Sequence, residues 1–320
     1  MGNINVPKTL LECSRYFSDP DVCVEFLAAM RWKQGVECPH CKSKRHSYLK
    51  TRRIWKCSEC KKQFSAKVGT VFEDSPVPLD KWMMVVWLVV NCKNGVSSWE
   101  IHRHLKVTQK TAWFMLHRVR LALKNNSDLL LGGQGTVVEV DESFVGGKVR
   151  NMHKARRQKF GGGITGKAVV QGMLDRTMRE VRATVVPDTK RETLQNLVLN
   201  NIRLGSTVYS DEVVAYDKLR DSFVHEVVNH SEEYVRGRVH TNGLENFWSL
   251  MKRGLKGTYV CVEPFHLERY VDEQVFRYNN RATKDNPLND SDRFVLALSQ
   301  IAGKRLTYKE LTGKVGETPF

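Results

Sequence analysis

Thr136-Val-Val-Glu-Val-Asp-Glu-Ser-Phe-Val-Gly-Gly147 reads as a β-strand with acids inside it, closed by a glycine pair. The two-residue period of a strand puts Glu139 and Asp141 on one face. Two further strand-like runs follow, Ala168 to Leu174 and Glu180 to Pro187. Lys190 to Ile202 reads as a helix, and Ser206-Thr-Val-Tyr-Ser-Asp211 as a short strand ending in an acid. Glu212 to Phe223 is again helical in pattern, His225 to Asn229 is a fifth strand, and a long helix covers about Asn242 to Leu255.

The order is three strands, helix, strand, helix, strand, helix. This is the order of an RNase H-like α/β fold with a mixed five-stranded sheet, in which the first and fourth strands are neighbours. Asp141 and Asp211 are therefore expected to meet, although 70 positions separate them. Glu245, 34 positions after Asp211, offers a third acid on the last helix. Asn242 precedes it by three positions, and Ser249 and Lys252 follow at four and seven, on roughly the same face. Three converging carboxylates suit hard divalent cations such as Mg²⁺ or Mn²⁺, which prefer oxygen ligands and keep waters. Two such ions stabilise the attacking and leaving oxygens of an in-line phosphoryl displacement. A cation at Lys252 suits a phosphate beside the site. Spacing alone weighs this reading evenly against three ordinary solvated acids.

Upstream, Cys38-Pro-His-Cys41 and Cys57-Ser-Glu-Cys60 form C-x2-C-x15-C-x2-C. Two residues between cysteines let one tight turn aim both thiolates at one ion, and two such knuckles complete a tetrahedron round Zn²⁺. Four cysteines leave no open coordination position, so the expected zinc is structural. Lys42, Lys44, Arg45, Lys50, Arg52, Arg53, Lys56, Lys61 and Lys62 surround the motif, a density that suits phosphate contacts. A small folding module with a solvated basic face is the plainer alternative.

Before the ribbon a helix is expected near Ser18-Asp19-Pro20, with an Asp or Ser cap and Pro in its first turn. Between ribbon and acids the pattern is also helical. Asp80 is expected to cap an apolar helix running to about Cys92. A short helix over Ser97 to Leu105, a turn at Lys106-Val-Thr108 and a second helix from Gln109 to about Leu123 have helix-turn-helix proportions. Gln109, Lys110 and Trp113 stand where a recognition helix reads base edges. A plain helical hairpin packing on its neighbour gives the same pattern. The expected domains are 1–72 for the first helix and ribbon, 73–128 for the helical segment, 129–305 for the catalytic domain, and 306–320 as a tail.

Composition agrees with a nucleic-acid partner. Lys plus Arg outnumber Asp plus Glu by 51 to 35 in 320 residues, a net charge of +16 that attracts polyanions. A hydrophobic fraction of 41% is ordinary for a folded protein with a sizeable core. The longest apolar run, Trp82 to Val90, is short of the ~20 residues a membrane span needs. No membrane partner is expected, and the expected location is the cytoplasm, where paired cysteines favour a metal over disulfides.

At the same residues the chain resembles the zinc-ribbon DDE transposases of prokaryotic insertion sequences. The resemblance rests on Val138-Glu-Val-Asp-Glu-Ser-Phe-Val-Gly-Gly-Lys148, Tyr209-Ser-Asp211 and His240-Thr-Asn-Gly-Leu-Glu-Asn-Phe-Trp-Ser-Leu-Met-Lys-Arg253. Arg269-Tyr-Val-Asp-Glu273, Phe276-Arg-Tyr-Asn-Asn-Arg281, Arg31-Trp32 and Gly35-Val-Glu-Cys-Pro-His-Cys41 extend it. It implies Asp141, Asp211 and Glu245 as catalytic triad, with Lys252 as the basic residue these enzymes often carry seven positions after the acid. It implies double-stranded DNA, both element ends and target, as partner, with strand cleavage and transfer at terminal inverted repeats. A homo-oligomer, a dimer on paired ends, is expected by the same analogy. Related proteins also use Asn or His as third ligand, so Asn242 and His240 stand beside Glu245 as alternatives. A DNA-binding protein that has lost catalysis, or a nuclease that never joins strands, are the competing functions.

Other signals carry less. Gly161-Gly-Gly-Ile-Thr-Gly-Lys167 nearly matches a nucleotide P-loop, but Ala168 stands where the magnesium hydroxyl belongs and a strand follows where a helix should start. The stretch reads better as a basic loop, with Arg150, Lys154, Arg156, Arg157 and Lys159 facing DNA. Trp248, Phe247, Tyr270, Phe276 and Tyr278 recur at helical spacing and are expected mostly in the core. Glu139, Glu142 and Glu212 are expected at most to support the acids beside them.

Overall fold

Aromatic side chains far apart in sequence gather round Phe294. Its ring centroid lies 5.8 Å from that of Phe17, 6.1 Å from Phe26 and 5.3 Å from Trp87. The computed structural model describes residues 6–124, 129–147, 166–211, 216, 219, 223–228, 239–284 and 286–313. Two units result: Met1–Lys124 with Asn280–Phe320, and Asn125–Asn279. The stretch 280–305, read from sequence as part of the catalytic segment, thus falls in the first unit, because Phe294 buries its ring there.

The first unit opens with α1 (Leu10–Tyr16) and α2 (Pro20–Arg31). Asp19 caps α2 by accepting from the Asp21 backbone N–H, with Pro20 in the first turn, as the sequence suggests. Strands β1 (His46–Leu49), β2 (Ile54–Cys57) and β3 (Gln63–Phe64) make a small antiparallel sheet. Trp55 of β2 lies parallel to Phe64 at 6.0 Å, and Trp32 meets its edge at 5.4 Å. Each buried aromatic of this kind contributes about 1.5–3 kcal/mol through removal from water.

Helix α3 (Leu79–Asn91) buries eight side chains from Trp82 to Val90. Asp80 does not cap it: Pro78 occupies that position without a side-chain bond, and Asp80 lies inside the first turn. A carboxylate there still faces the positive end of the helix dipole. Helix α4 (Ser98–Leu105) starts on a capping box in which Ser97 and Glu100 bond each other's backbone N–H. Lys106, left-handed at φ 49°, ends α4, and Thr108 caps α5 (Gln109–Leu123).

The second unit holds a sheet in the order β6-β5-β4-β7-β8. Its strands are β4 (Val137–Val145), β5 (Ala168–Asp175), β6 (Glu180–Val186), β7 (Thr207–Asp211) and β8 (Val224–Val228), with α6 (Arg191–Asn201) between β6 and β7. β4 pairs antiparallel with β5 and parallel with β7, and β7 runs parallel to β8. Helices α7 (Asn242–Gly254) and α8 (Leu267–Asn279) follow. Val138 and Val140 pack with Leu194 and Val198 of α6 on one face of the sheet. Val170, Leu174 and Val181 pack on the other face with Leu244, Phe247 and Trp248 of α7 and Leu267 of α8. This is the mixed five-stranded α/β sheet expected from the element order. The first unit is completed by α9 (Asp290–Ser299) and α10 (Tyr308–Leu311). The basic loop residues Arg150 to Lys159, Glu212 and most of the helix expected to follow it lie outside the described residues.

Candidate active site and metal centre

The four cysteines meet. One sulfur from each of Cys38, Cys41, Cys57 and Cys60 lies within 4.8 Å of the others. Cys38 and Cys60 are 3.7 Å apart, and Cys41 and Cys57 3.5 Å. The two knuckles share a backbone device: Lys42 and Lys61, each directly after a second cysteine, are left-handed at φ 63° and 59°. The Cys38 N–H donates to Ser43 carbonyl and the Cys57 N–H to Lys62 carbonyl, closing each turn round its thiols. Four sulfurs at this spacing fit one tetrahedral zinc with no open position. Around them, Arg53 is paired with Asp21 at 2.7 Å and Arg45 with Glu59 at 2.8 Å. Lys44, Lys50, Arg52, Lys56, Lys61 and Lys62 are exposed.

The acids of the sheet also converge. The parallel register pairs Glu139 with Tyr209 and Val140 with Ser210, so Asp141 and Asp211 are the next residues on adjoining strands. The Trp248 Nε1–H donates to Asp141 Oδ2 at 2.8 Å, and the Glu142 N–H to Oδ1 at 2.8 Å. Burial pushes the Asp141 carboxyl up to about 6 against those two bonds, and the charges of Asp211 and Glu245 push it the same way. Both acids are therefore near enough to be felt at Asp141. Glu142 is raised to about 8, by burial first and then by Asp141 and Asp211. Its Oε1 is buried and accepts no hydrogen bond from the described residues. Lys252 is lowered, by burial first and then by Lys256, with the charge of Asp141 opposing the shift. Among the described residues the four cysteines are the one group of three or more such side chains that could hold a single ion.

Glu245 and Asn242 are both exposed on α7, one turn apart. His240, just before the helix, is taken up otherwise: Arg176 Nη2 donates to its carbonyl at 2.6 Å and contacts its Nδ1 at 2.7 Å. Trp248 is 5% exposed, a core residue as expected, yet its indole edge reaches Asp141. Gly172, opposite Asp141 on β5, makes that reach possible: a Cβ there would stand 2.6 Å from the Trp248 ring. Glu139 is 1% exposed; its Oε1 accepts from Arg176 Nε at 2.6 Å and its Oε2 from the Leu244 N–H at 3.0 Å. Sequence reading named neither Gly172 nor Arg176, because their partners come from distant elements. The usable signal was Glu139 itself, an acid two positions before Asp141 on the same face.

In the helical pair, Gln109 Nε2 donates to Ser98 Oγ at 2.9 Å and Lys110 Nζ lies 4.4 Å from the centre of the Tyr308 ring. Trp113 meets His117 edge-on at 4.6 Å. All three side chains expected to read bases thus have protein partners, and Lys110 is exposed as well. Trp99 of α4 is instead 58% exposed. Strand β5 begins at Ala168, where a nucleotide-binding loop would need a helix. Among the described residues no helix is long and apolar enough to cross a membrane.

Residues 130–279 match the family model described as ISXO2-like transposase domain, and residues 18–63 the transposase zinc-ribbon domain. An uncharacterized protein in transposable element ISH50 of Halobacterium salinarum is 29% identical over 243 residues, 72% of this chain and 81% of that protein. An uncharacterized transposase-like protein of Haemophilus influenzae is 33% identical over 106 residues, 33% of this chain and 85% of that protein. A chain of the simian T-cell lymphotropic virus intasome, solved in complex with PP2A regulatory subunit B56 gamma, aligns with 55% of this chain at 11% identity and a TM-score of 0.27. That alignment covers 63% of the viral complex's chain, under two thirds of its length.

Proposed function

Since the chain belongs to the zinc-ribbon ISXO2-like transposases, we propose that it cuts and joins DNA at the ends of its mobile element, using divalent metal held by Asp141, Asp211 and Glu245. The single observation that carries this is the parallel register that sets Asp141 and Asp211 side by side on β4 and β7, with Glu245 near enough for its charge to act on Asp141. A buried carboxyl that feels two neighbouring acids is unfavourable unless cations offset the charge. The donor set fits Mg²⁺ or Mn²⁺, being carboxylate oxygen throughout. Each Asp141 oxygen accepts one fixed hydrogen bond, from Trp248 or from the Glu142 N–H, and keeps lone-pair capacity for a cation. When bound, the metal pair supplies charge stabilisation for the attacking and leaving oxygens.

The chain's own residues supply positioning. Asp141 and Asp211 stand side by side on neighbouring strands, and α7 brings Glu245 from one side of them. Lys252, two turns along α7, holds a DNA phosphate beside the acids. Water as nucleophile nicks the element end; a freed 3′-hydroxyl as nucleophile joins that end to target DNA. The exposed lysines of the ribbon and the helical pair bind DNA, and two copies of the chain pair two ends. The net charge of +16 supports a polyanionic partner.

The test is a cleavage and strand-transfer assay on DNA with the element's own flanking ends, with Mg²⁺ and then EDTA, for the parent chain and Asp141→Ala. Metal-dependent cutting and joining, both lost in the variant, are expected. Cutting without joining would mean a nuclease. Tight binding to ends with no cutting would mean a binding protein that has lost catalysis.

A further inference from the structure

We infer that Glu139 is a positioning residue: its buried carboxylate fixes the start of α7 to β4 and so sets where Glu245 stands relative to Asp141. The inference rests on the metal-dependent reading above and extends it to a residue that holds no metal itself.

The first N–H groups of a helix lack partners within it, and a side chain at the cap normally satisfies one. Thr241, at the cap of α7, makes no such bond. The partner comes from the sheet instead, where Glu139 Oε2 accepts from the Leu244 N–H at 3.0 Å. Leu244 directly precedes Glu245, and Glu139 lies two residues before Asp141 on the same strand face. One hydrogen bond therefore joins the backbone beside one acid to the strand beside another. A carboxylate at this place is also favoured by the helix dipole.

Two further features serve the same contact. Arg176, in the turn after β5, donates through Nε to Glu139 Oε1 at 2.6 Å and through Nη2 to the His240 carbonyl at 2.6 Å. It ties the segment entering α7 to the same carboxylate. Gly243 allows the close approach: a Cβ there would stand 2.8 Å from Glu139 Oε2 and 2.2 Å from Leu174 Cδ2. A buried ion pair is a poor device for stability alone, since burying the charges costs about as much as their attraction returns. What a bidentate carboxylate adds over a leucine is direction and register. A site bound through a helix needs both, because a misplacement of ~1 Å at the acids costs about 100-fold in rate.

The experiment compares Glu139→Ala, Glu139→Gln, Gly243→Ala, Asp141→Ala and a core control, Val271→Ala, as full chains with ribbon zinc in place. Mn²⁺ binding is read by electron paramagnetic resonance of the free ion, beside melting temperature, DNA-end affinity and cleavage. Glu139→Ala and Gly243→Ala are expected to bind Mn²⁺ about 10–100-fold more weakly, with end affinity unchanged. Glu139→Gln, which keeps an oxygen for the Leu244 N–H, is expected to recover part of that loss. Val271→Ala lowers the melting temperature with Mn²⁺ affinity intact. The inference is overturned if the Glu139 variants bind Mn²⁺ like the parent, or lose no more affinity than the core control. If Glu139→Ala does not fold, Gly243→Ala decides, since parent-like Mn²⁺ binding and cleavage in it exclude a role for the contact between Glu139 and the start of α7. Asp141→Ala separates the two layers of argument: unchanged Mn²⁺ binding in that variant sinks the metal reading itself, whatever Glu139 does.

Discussion

Trp248 donates its indole N–H to Asp141 Oδ2 at 2.8 Å, across Gly172 of β5, where a Cβ would stand 2.6 Å from the ring. The bond holds one rotamer of Asp141 and favours its ionised form. Trp248→Phe keeps most of the ring volume and removes the donor. Its Asp141 carboxyl should then titrate higher, and cleavage at neutral pH should fall by about tenfold, with partial recovery in more alkaline buffer. Gly172→Ala should match or exceed that loss by displacing the ring. A pH–rate profile that is unmoved in Trp248→Phe would show the bond to be packing only.

Glu142, next to Asp141, is raised to about 8 from a usual value of 4.5 by burial and by two neighbouring acids. An acid whose folded value lies above its unfolded value binds more protons when folded. Its favourable contribution is complete below about 4.5 and is lost as pH rises through about 8. Without added Mg²⁺ or Mn²⁺ the protein should therefore melt higher at pH 5 than at pH 8.5. Glu142→Gln should stabilise it by about 1–2 kcal/mol at pH 8.5 and by much less at pH 4.5, since the neutral amide removes the charge penalty. Differential scanning calorimetry at the two pH values checks this. Equal effects at both would mean that shape and not charge governs the position.

The sheet order is legible because strand and helix periods alternate from Val137 to Val228, and the fold's connectivity alone makes the strand that carries Asp141 a neighbour of the strand that ends in Asp211. The ribbon was legible because its chemistry lies in local spacing. Other features depend on partners that periodicity does not reveal. Asp80 reads as a cap, but Pro78 fixes the helix start two residues earlier. Gln109 reads as an exposed recognition residue but is half-buried and donates to Ser98, while Lys110 is exposed as expected and also lies over the Tyr308 ring. Trp248 reads as core and is core, yet one atom of it serves Asp141. Phe294 sits in a stretch that reads as a continuation of the catalytic segment, and its ring contacts with Phe17, Phe26 and Trp87, with the Arg293–Asn91 hydrogen bond, assign it to the first unit.

The ribbon gives a prediction that separates fold from charge. Cys57→Ser should lose the zinc equivalent, measured by metal content, along with the Trp55–Phe64 packing that β2 and β3 bring together. Binding energies of about 10–16 kcal/mol in zinc-finger peptides show how much of such a module's folding rests on its metal. The double variant Lys56→Glu and Lys61→Glu should keep its zinc and bind DNA more weakly, with the slope of log affinity against log salt reduced by about 2. An unchanged slope would remove these two lysines from the DNA contacts.

The third acid is open to direct test, since Glu245 and Asn242 share a face of α7 and are both exposed. A full carboxylate offers charge to a hard cation that an amide oxygen lacks. Glu245, and not Asn242, is also the neighbour whose charge raises Asp141. Glu245→Ala should therefore abolish cleavage and strand transfer and weaken Mn²⁺ binding, while Asn242→Ala should retain cleavage within about tenfold. Lys252→Ala should leave Mn²⁺ binding intact and raise the DNA concentration needed for half-maximal cleavage, because its role is toward phosphate. Full cleavage by Glu245→Ala with loss in Asn242→Ala would transfer the ligand role to the amide. The acid would then be a rim charge, one turn further along the same helix.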